Sequence, residues 1–270
     1  MNVGSLKIIK DIAVFLFALC NLACDVNGLV INVKNRGGDI LQETIAANVT
    51  SDTITLEYQK TEGTLITQFV DFASEIQVFK VLVLGEEERG ESQFQVMCFV
   101  LRFMKNEFIA TDAMSKLRQK NPGTIRNAEE DKGTEQHDLD LCVDVGQASV
   151  ISPHLPVLCH DAKETTFARE TDLKALAKPG GPKDAKVMLK AAHKCGVGVQ
   201  ERCKDTTDWW QPCTCQYQLC ISWYPCGLKY CRGKDSSQKV VSYRCGIKTC
   251  KKCRLMSYYS KQKINCLWDE

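Results

Sequence analysis

The sequence predicts an α+β protein: a β-sheet with flanking helices, followed by a small disulfide-rich C-terminal domain. Three observations carry that prediction. Residues 29–145 hold short alternating or apolar segments separated by turn residues, which is the pattern of strands. Helix start and stop signals occur around residues 111–122 and again after Pro153. Of the 16 cysteines, 11 fall between Cys195 and Cys266, where aliphatic residues are few and cross-links must stand in for a core. With 44% apolar and 25% charged residues in 270, the chain can bury a core, and disordered, collagen-like and coiled-coil classes are excluded.

The elements follow in order. Leu29–Val33 is apolar and alternating, and Arg36-Gly37-Gly38-Asp39 is a turn. Ile54–Tyr58 alternates, turns through Lys60-Thr61-Glu62-Gly63 and returns as Leu65–Val70, the best hairpin in the chain. Phe79–Leu84 and Phe94–Leu101 are nearly continuous apolar runs, as in strands covered on both faces, with an acidic turn from Gly85 to Gly90 between them. A helix is predicted over Asp112–Lys120, capped by Thr111 and stopped by Asn121-Pro122-Gly123. Leu139–Val145 alternates again as one half-buried strand. The stretch from Pro153 to Ala177 is helical in part, and Lys178-Pro179-Gly180-Gly181-Pro182-Lys183 breaks it. The organisation expected is a leader over 1–28, a β-rich domain over 29–178, a linker over 179–194 and a cysteine-rich domain over 195–270.

Lys7 and Lys10 precede the apolar run Ile12–Cys20, too short to span a bilayer and shaped like a secretory signal peptide. Small residues allow cleavage after Ala23 or after Gly28; the cut after Gly28, which lets Leu29–Val33 open the mature chain, removes Cys20 and Cys24 and leaves 14 cysteines, an even set able to pair completely in an oxidising compartment. The sequon Asn48-Val49-Thr50 marks Asn48 as a glycosylation site between two strands. A secreted, extracellular product with no membrane span is expected. The mature chain has three cysteines before the tail (Cys98, Cys142, Cys159) and 11 within it. Both counts are odd, so complete pairing requires at least one disulfide between body and tail. Cys142 with Cys195 is one such pairing. Cys213 and Cys215 are too close to close on each other and go to different partners.

The tail is also basic. Residues 195–270 hold 13 Lys and Arg against 6 Asp and Glu, while residues 29–194 hold 20 against 25. Cys226-x4-Cys231 and Cys245-x4-Cys250, with Cys253, could be read as a zinc site with a nucleic-acid patch at Lys251-Lys252-Cys253-Arg254. All four histidines lie outside the tail, and the leader routes the chain away from the reducing cytosol. Disulfides are therefore expected, with no metal, no cofactor and no nucleic-acid partner. A basic patch is most often a solvated face, but on a secreted protein it could bind an acidic glycosaminoglycan or an acidic receptor. Trp223, Tyr224, Lys229, Tyr230 and Arg232 are the candidate surface for an extracellular protein partner, if the aromatics do not simply pack over the disulfides. Enzyme signatures are scarce. Gly85-x4-Gly90 has P-loop spacing but Glu91 where a lysine must stand, and Asp138 and Asp140 read as the wet face of a strand.

Gln93–Val100, Lys116–Pro122, Trp223–Cys231, Tyr243–Cys250 and the ending Cys266–Glu270 closely resemble the Out at first family of secreted animal proteins. The resemblance covers nearly all the mature chain and implies a BRICHOS-like first domain before the cysteine-rich one. In such domains a disulfide ties a strand to a helix, and the positions that look equivalent are Cys98 and Cys159. The aspartate of the BRICHOS pattern has no counterpart nearer to Cys98 than Asp71, and that role is not carried over. The family is associated with development, including that of the nervous system, and implies no reaction. A non-enzymatic recognition protein is expected first. A chaperone-like binder of extended peptides is the second reading, and an intracellular zinc-dependent regulator the third. Cys203, Cys220, Cys231, Cys245, Cys250 and Cys266 complete the set expected to be disulfide-bonded.

Overall fold

The computed structural model describes residues 28–35, 37–85, 88, 90, 92–177, 184–196, 201–234, 236, 238–266, 268 and 269. The leader run, Cys20, Cys24 and the Lys178–Lys183 break lie outside them.

Six consecutive strands form an antiparallel meander: β1 (Leu29–Lys34), β2 (Ile40–Asn48), β3 (Thr53–Gln59), β4 (Leu65–Asp71), β5 (Ile76–Leu84) and β6 (Phe94–Arg102). The predicted hairpin is β3–β4, and its turn needs Gly63: φ is 94°, and a Cβ there would sit 2.7 Å from Leu84. Short strands complete this first sheet: β7 (Ile125–Arg126), β9 (Leu141–Val143), β10 (Thr166–Ala168) and β11 (Ala192–Lys194). The order is β11-β9-β10-β6-β5-β4-β3-β2-β1-β7, so both edges are strands of only two or three residues.

The second sheet has three strands. β12 (Cys213–Lys234) and β13 (Val240–Ser260) form one long hairpin, and β8 (Glu130–Leu139) runs parallel to β13. This sheet packs on one face of the first. Phe79, Met97, Phe99 and Leu101 meet Tyr217, Leu219, Trp223, Met256 and Tyr258 in one buried cluster. The opposite face of β5 and β6 places Ile76, Val78, Cys98 and Val100 against Ala148, Ile151, Leu155, Leu173 and Leu176. The two continuous apolar runs are thus strands covered on both sides, while β1 and β3 alternate and bury one face.

Mostly β describes the molecule better than α+β. The described helices are α1 (Thr111–Met114), α2 (Leu155–Leu158), α3 (Glu170–Leu176) and α4 (Ala185–Lys190), none above seven residues. The helix predicted over Asp112–Lys120 stops after one turn. Thr111 is inside it rather than at its cap, its hydroxyl donating to Asp52 Oδ1 at 2.8 Å. Arg118 Nη1 donates to the carbonyls of Ser115 and Leu117, both at 2.8 Å, and so takes acceptors that further turns would use. The single strand expected over Leu139–Val145 is also divided. Leu139, Leu141, Val143 and Val145 are all buried as the alternation predicts, but the chain changes sheet at Asp140. Asp140 is pinned there: its Oδ1 accepts from the Glu170 amide at 2.9 Å and its carbonyl from the Cys195 amide at 3.1 Å. Within 179–194, α4 and β11 occupy residues 185–194, and β11 pairs with β9.

Candidate functional site

Seven disulfides are formed: Cys98–Cys159, Cys142–Cys195, Cys203–Cys213, Cys215–Cys266, Cys220–Cys253, Cys226–Cys250 and Cys231–Cys245. Cys98 lies in β6 and Cys159 at the C-terminal cap of α2. The crossing pair demanded by odd counts is Cys142–Cys195, yet it does not join the two sheets. Cys195 directly follows β11, so both sulfurs belong to the first sheet, and the other ten tail cysteines pair among themselves. The sulfurs of Cys203, Cys215 and Cys266 cluster within 4.8 Å, each committed to a disulfide. Cys226, Cys231, Cys245, Cys250 and Cys253, the residues that could have formed a zinc site, staple β12 to β13 instead.

What joins the sheets is buried polar chemistry around aromatic packing. Glu43 and Tyr58 are directly opposed on β2 and β3, and both side chains reach the outer edge of β12. Glu43 Oε1 accepts from the Ser222 amide at 3.3 Å, and the Tyr58 hydroxyl donates to the Cys220 carbonyl at 2.6 Å. The β12–β13 register shifts between Ile221 and Tyr224, the stretch that holds the amide Glu43 takes. Burial pushes the Glu43 carboxyl up to about 8, against backbone hydrogen bonds from Ser222 and Trp223 that pull it down. Arg254 on β13, also buried, lies over the Phe79 ring at 4.8 Å and reaches Gln77 Oε1 at 3.4 Å.

The candidate partner surface of Trp223, Tyr224, Lys229, Tyr230 and Arg232 is split by the fold. Trp223 and Tyr224 are 5% and 6% exposed and belong to the core between the sheets, with Phe108 stacked on Tyr224 at 5.6 Å. Strand alternation around the bulge turns their rings inward, so they are no part of a surface. Lys229, Tyr230 and Arg232 are exposed. They stand on an arm: β8 pairs with β13 only from Cys250 onward, so beyond that point the hairpin is a two-stranded ribbon. No residue of 226–234 or 240–248 is buried. Cys226–Cys250 closes the arm's base and Cys231–Cys245 its outer half.

The lysines at the arm's base are neutralised by β8 and the residue before it. Lys229 meets Glu129 at 2.6 Å, Lys248 meets Glu130, Lys251 meets Asp131 at 3.1 Å, and Lys252 meets Glu135 at 2.6 Å. Hydrogen bonding to Lys229 holds the Glu129 carboxyl below its ordinary range. Neither β8 nor its complement to the tail was visible in sequence, because Glu130–Gln136 lacks apolar periodicity; the one available sign was the acidic surplus of residues 29–194 facing a basic tail.

Asn48 ends β2 on an exposed turn, its side-chain carbonyl accepting from the amides of Thr50 and Ser51 at 3.0 and 3.1 Å. A cavity of about 620 Å³ lies where Phe94, Phe167 and Tyr259 meet the Cys142–Cys195 bridge. Its lining cations are paired: Lys261 with Glu164 at 2.6 Å and Lys194 with Glu170 at 2.7 Å. Asp71, set aside in the sequence comparison, is buried and holds the Ser74 amide and the Ser152 hydroxyl, each at 2.8 Å.

Comparison with known proteins agrees over most of the chain. The family model described as Out at first matches residues 27–176, and that described as Out at first, C-terminal, matches residues 202–270. The chain is 50% identical over 267 residues to the Out at first protein of Drosophila virilis, covering 94% of this chain and 87% of that one. It is 49% identical over 269 residues to the Out at first protein of Drosophila melanogaster, covering 94% of this chain and 55% of that longer one. No solved structure matches. With both halves matched in order and half of all aligned residues shared, the chain belongs to the Out at first family.

Proposed function

We propose that this protein is a secreted, non-enzymatic developmental factor that recognises an extracellular partner with its disulfide-stapled arm, held out by the two-sheet body. The observation that carries this reading is the arm itself. A two-stranded ribbon is marginal in water unless something fixes it; here Cys226, Leu228 and Ile247 pack the arm's base against the core, and two cross-strand disulfides brace it. Rigid, exposed polar and aromatic groups are what recognition needs, because less conformational entropy is lost on binding. Extracellular routing is supported by the seven disulfides and by the signal-like run before Leu29. Among the described residues no helix is long and apolar enough to cross a membrane. The developmental role is supported by family membership.

The Cys98–Cys159 bridge from strand to helix supports the BRICHOS-like reading of the first domain. Peptide capture by strand addition gains no support from its sheet, whose edges are the two-residue β7 and the three-residue β11.

Expression of the full chain with its own leader in animal cells tests the proposal. We expect soluble protein in the medium, with a non-reduced mass 14 hydrogens below the reduced one, two for each of seven disulfides. Enzymatic removal of N-glycans should lower the mass of the wild type and leave N48Q unchanged. Product held wholly inside the cells overturns the reading.

A further inference from the structure

We infer that one face of the arm is a docking site for a sulfated glycosaminoglycan chain. The proposal rests on the extracellular reading above and names the partner class.

The register sets the faces. Tyr230 lies opposite Arg244, Arg232 opposite Ser242, and Lys234 opposite Val240. Residues two apart on a strand, and those opposite them, share a face. Tyr230, Arg232, Lys234, Val240, Ser242 and Arg244 therefore make one side of the ribbon. The other side carries Val241, Tyr243 and the Cys231–Cys245 bridge, and the Tyr243 ring lies over Gly233, 3.1 Å from where a Cβ would stand. The first face thus collects Arg232, Lys234 and Arg244, all exposed. Successive cations along it are about 7 Å apart, from the rise of two residues and the diagonal across an antiparallel pair.

These three cations differ from those at the base. Lys229, Lys248, Lys251 and Lys252 each meet a carboxylate near or on β8, whereas Arg232, Lys234 and Arg244 lie beyond its reach and form no ion pair among the described residues. Between Cys226 and Lys252 the sequence has eight Lys and Arg and one acid, Asp235. The fold pairs the charge nearest the body and leaves Arg232, Lys234 and Arg244, neighbours on one face, without an ion pair among the described residues. A linear polyanion relieves the repulsion among these like charges and gains the entropy of counterions released from it.

The shape selects a polyanionic chain over a folded acidic protein. A stable protein interface has a water-excluding apolar centre. This face is a two-stranded ribbon whose apolar members, among the described residues, are Tyr230 and Val240. Arginine forks bind sulfate oxygens in pairs, as they do phosphate.

The test uses the purified full chain and immobilised heparin, with unsulfated hyaluronan as the comparison probe, over a range of salt. Wild type should bind heparin and not hyaluronan. R232S/K234S/R244S should lose about tenfold or more in affinity at physiological salt, and its log–log salt slope should fall by about two to three units. K229Q/K248Q/K251Q removes the same charge from paired positions and should change the slope by less than about one unit. R232K/R244K should retain binding, and the non-reduced mass verifies complete disulfides in every variant. Equal loss in the two triple variants overturns the site, since net charge alone would then explain binding. So does equal binding of hyaluronan, or no retention of wild type at physiological salt. Cell-retained protein overturns the extracellular reading and leaves these affinities measurable, so the two failures are distinguishable.

Discussion

Glu43 occupies a position on β2 where strand alternation directs the side chain into the core. Its Oε2 has no hydrogen-bond partner among the described residues, and its Oε1 accepts from the edge of β12, so the carboxyl is both costly and a registration device. Burial raises it from 4.5 to about 8. The sign follows directly. The folded state holds a proton that the unfolded state has released, so this contribution to stability is full below pH 4.5 and is lost as pH rises to about 8. His137 works the other way. Burial chiefly lowers it from 6.5 to about 4, so its contribution is full above pH 6.5 and is lost as pH falls toward 4. E43Q leaves His137 untouched, so the difference between wild type and E43Q isolates the carboxyl. Urea unfolding from pH 5 to 9 should show wild type weakening relative to E43Q as pH rises, with the gap constant above about pH 8. A gap that does not vary with pH would mean that Glu43 is not protonated in the fold.

Among the elements, the hairpin of β12 and β13 has two regimes. From Cys250 to Ser260 it is the middle of a three-stranded sheet over a core; from Val240 to Lys248 it is a ribbon in water. Removing the outer staple with C231S/C245S should therefore open the arm locally. We expect protease cleavage confined to residues 229–246, while global stability moves by less than about 1 kcal/mol, since local openings need not involve the body. C215S/C266S, whose partners are buried and 51 residues apart, should instead cost about 2–5 kcal/mol or prevent folding. The strands that could be read from sequence are those whose faces differ in polarity or are both apolar: β1, β3, β4, β5 and β6. β2 interrupts its alternation with Glu43, and β8 reads Glu-Asp-Lys-Gly-Thr-Glu-Gln-His-Asp-Leu, with no apolar residue before its last. Its pairing is decided by β13, more than a hundred residues away, through ladder hydrogen bonds and opposite charges that local pattern does not encode. Of the partner surface, residue type and exposure were legible for Lys229, Tyr230 and Arg232. Trp223 and Tyr224 were not: Trp223 keeps the inward phase of Tyr217, Leu219 and Ile221, and the irregularity in register turns Tyr224 inward as well.

For the whole molecule, the composition suggests two domains and the core makes one. Phe99 of the first sheet meets Tyr258 at 5.3 Å and Tyr217 at 6.5 Å in the second, and Phe167 meets Tyr258 at 4.8 Å. Removing Phe99 takes support from both sheets at once. F99A should lower stability by about 3–5 kcal/mol, and tryptophan fluorescence, all of it from the second half, should unfold with the far-ultraviolet dichroism of the entire chain. Two separated transitions would show that the halves fold independently.

Parallel pairing of β8 with β13 also imposes an order on synthesis. Glu130 pairs with Cys250, 120 residues later, so as the chain leaves the ribosome the first sheet can assemble while β8 still lacks its only neighbour. A strand left open for that interval would invite association with other nascent chains if it were apolar. Six of its ten residues are charged or glutamine, and His137 and Leu139 are its only buried ones, so solvent can hold it until β13 emerges. The polarity that hid this strand from pattern reading is what lets it wait in water for its partner.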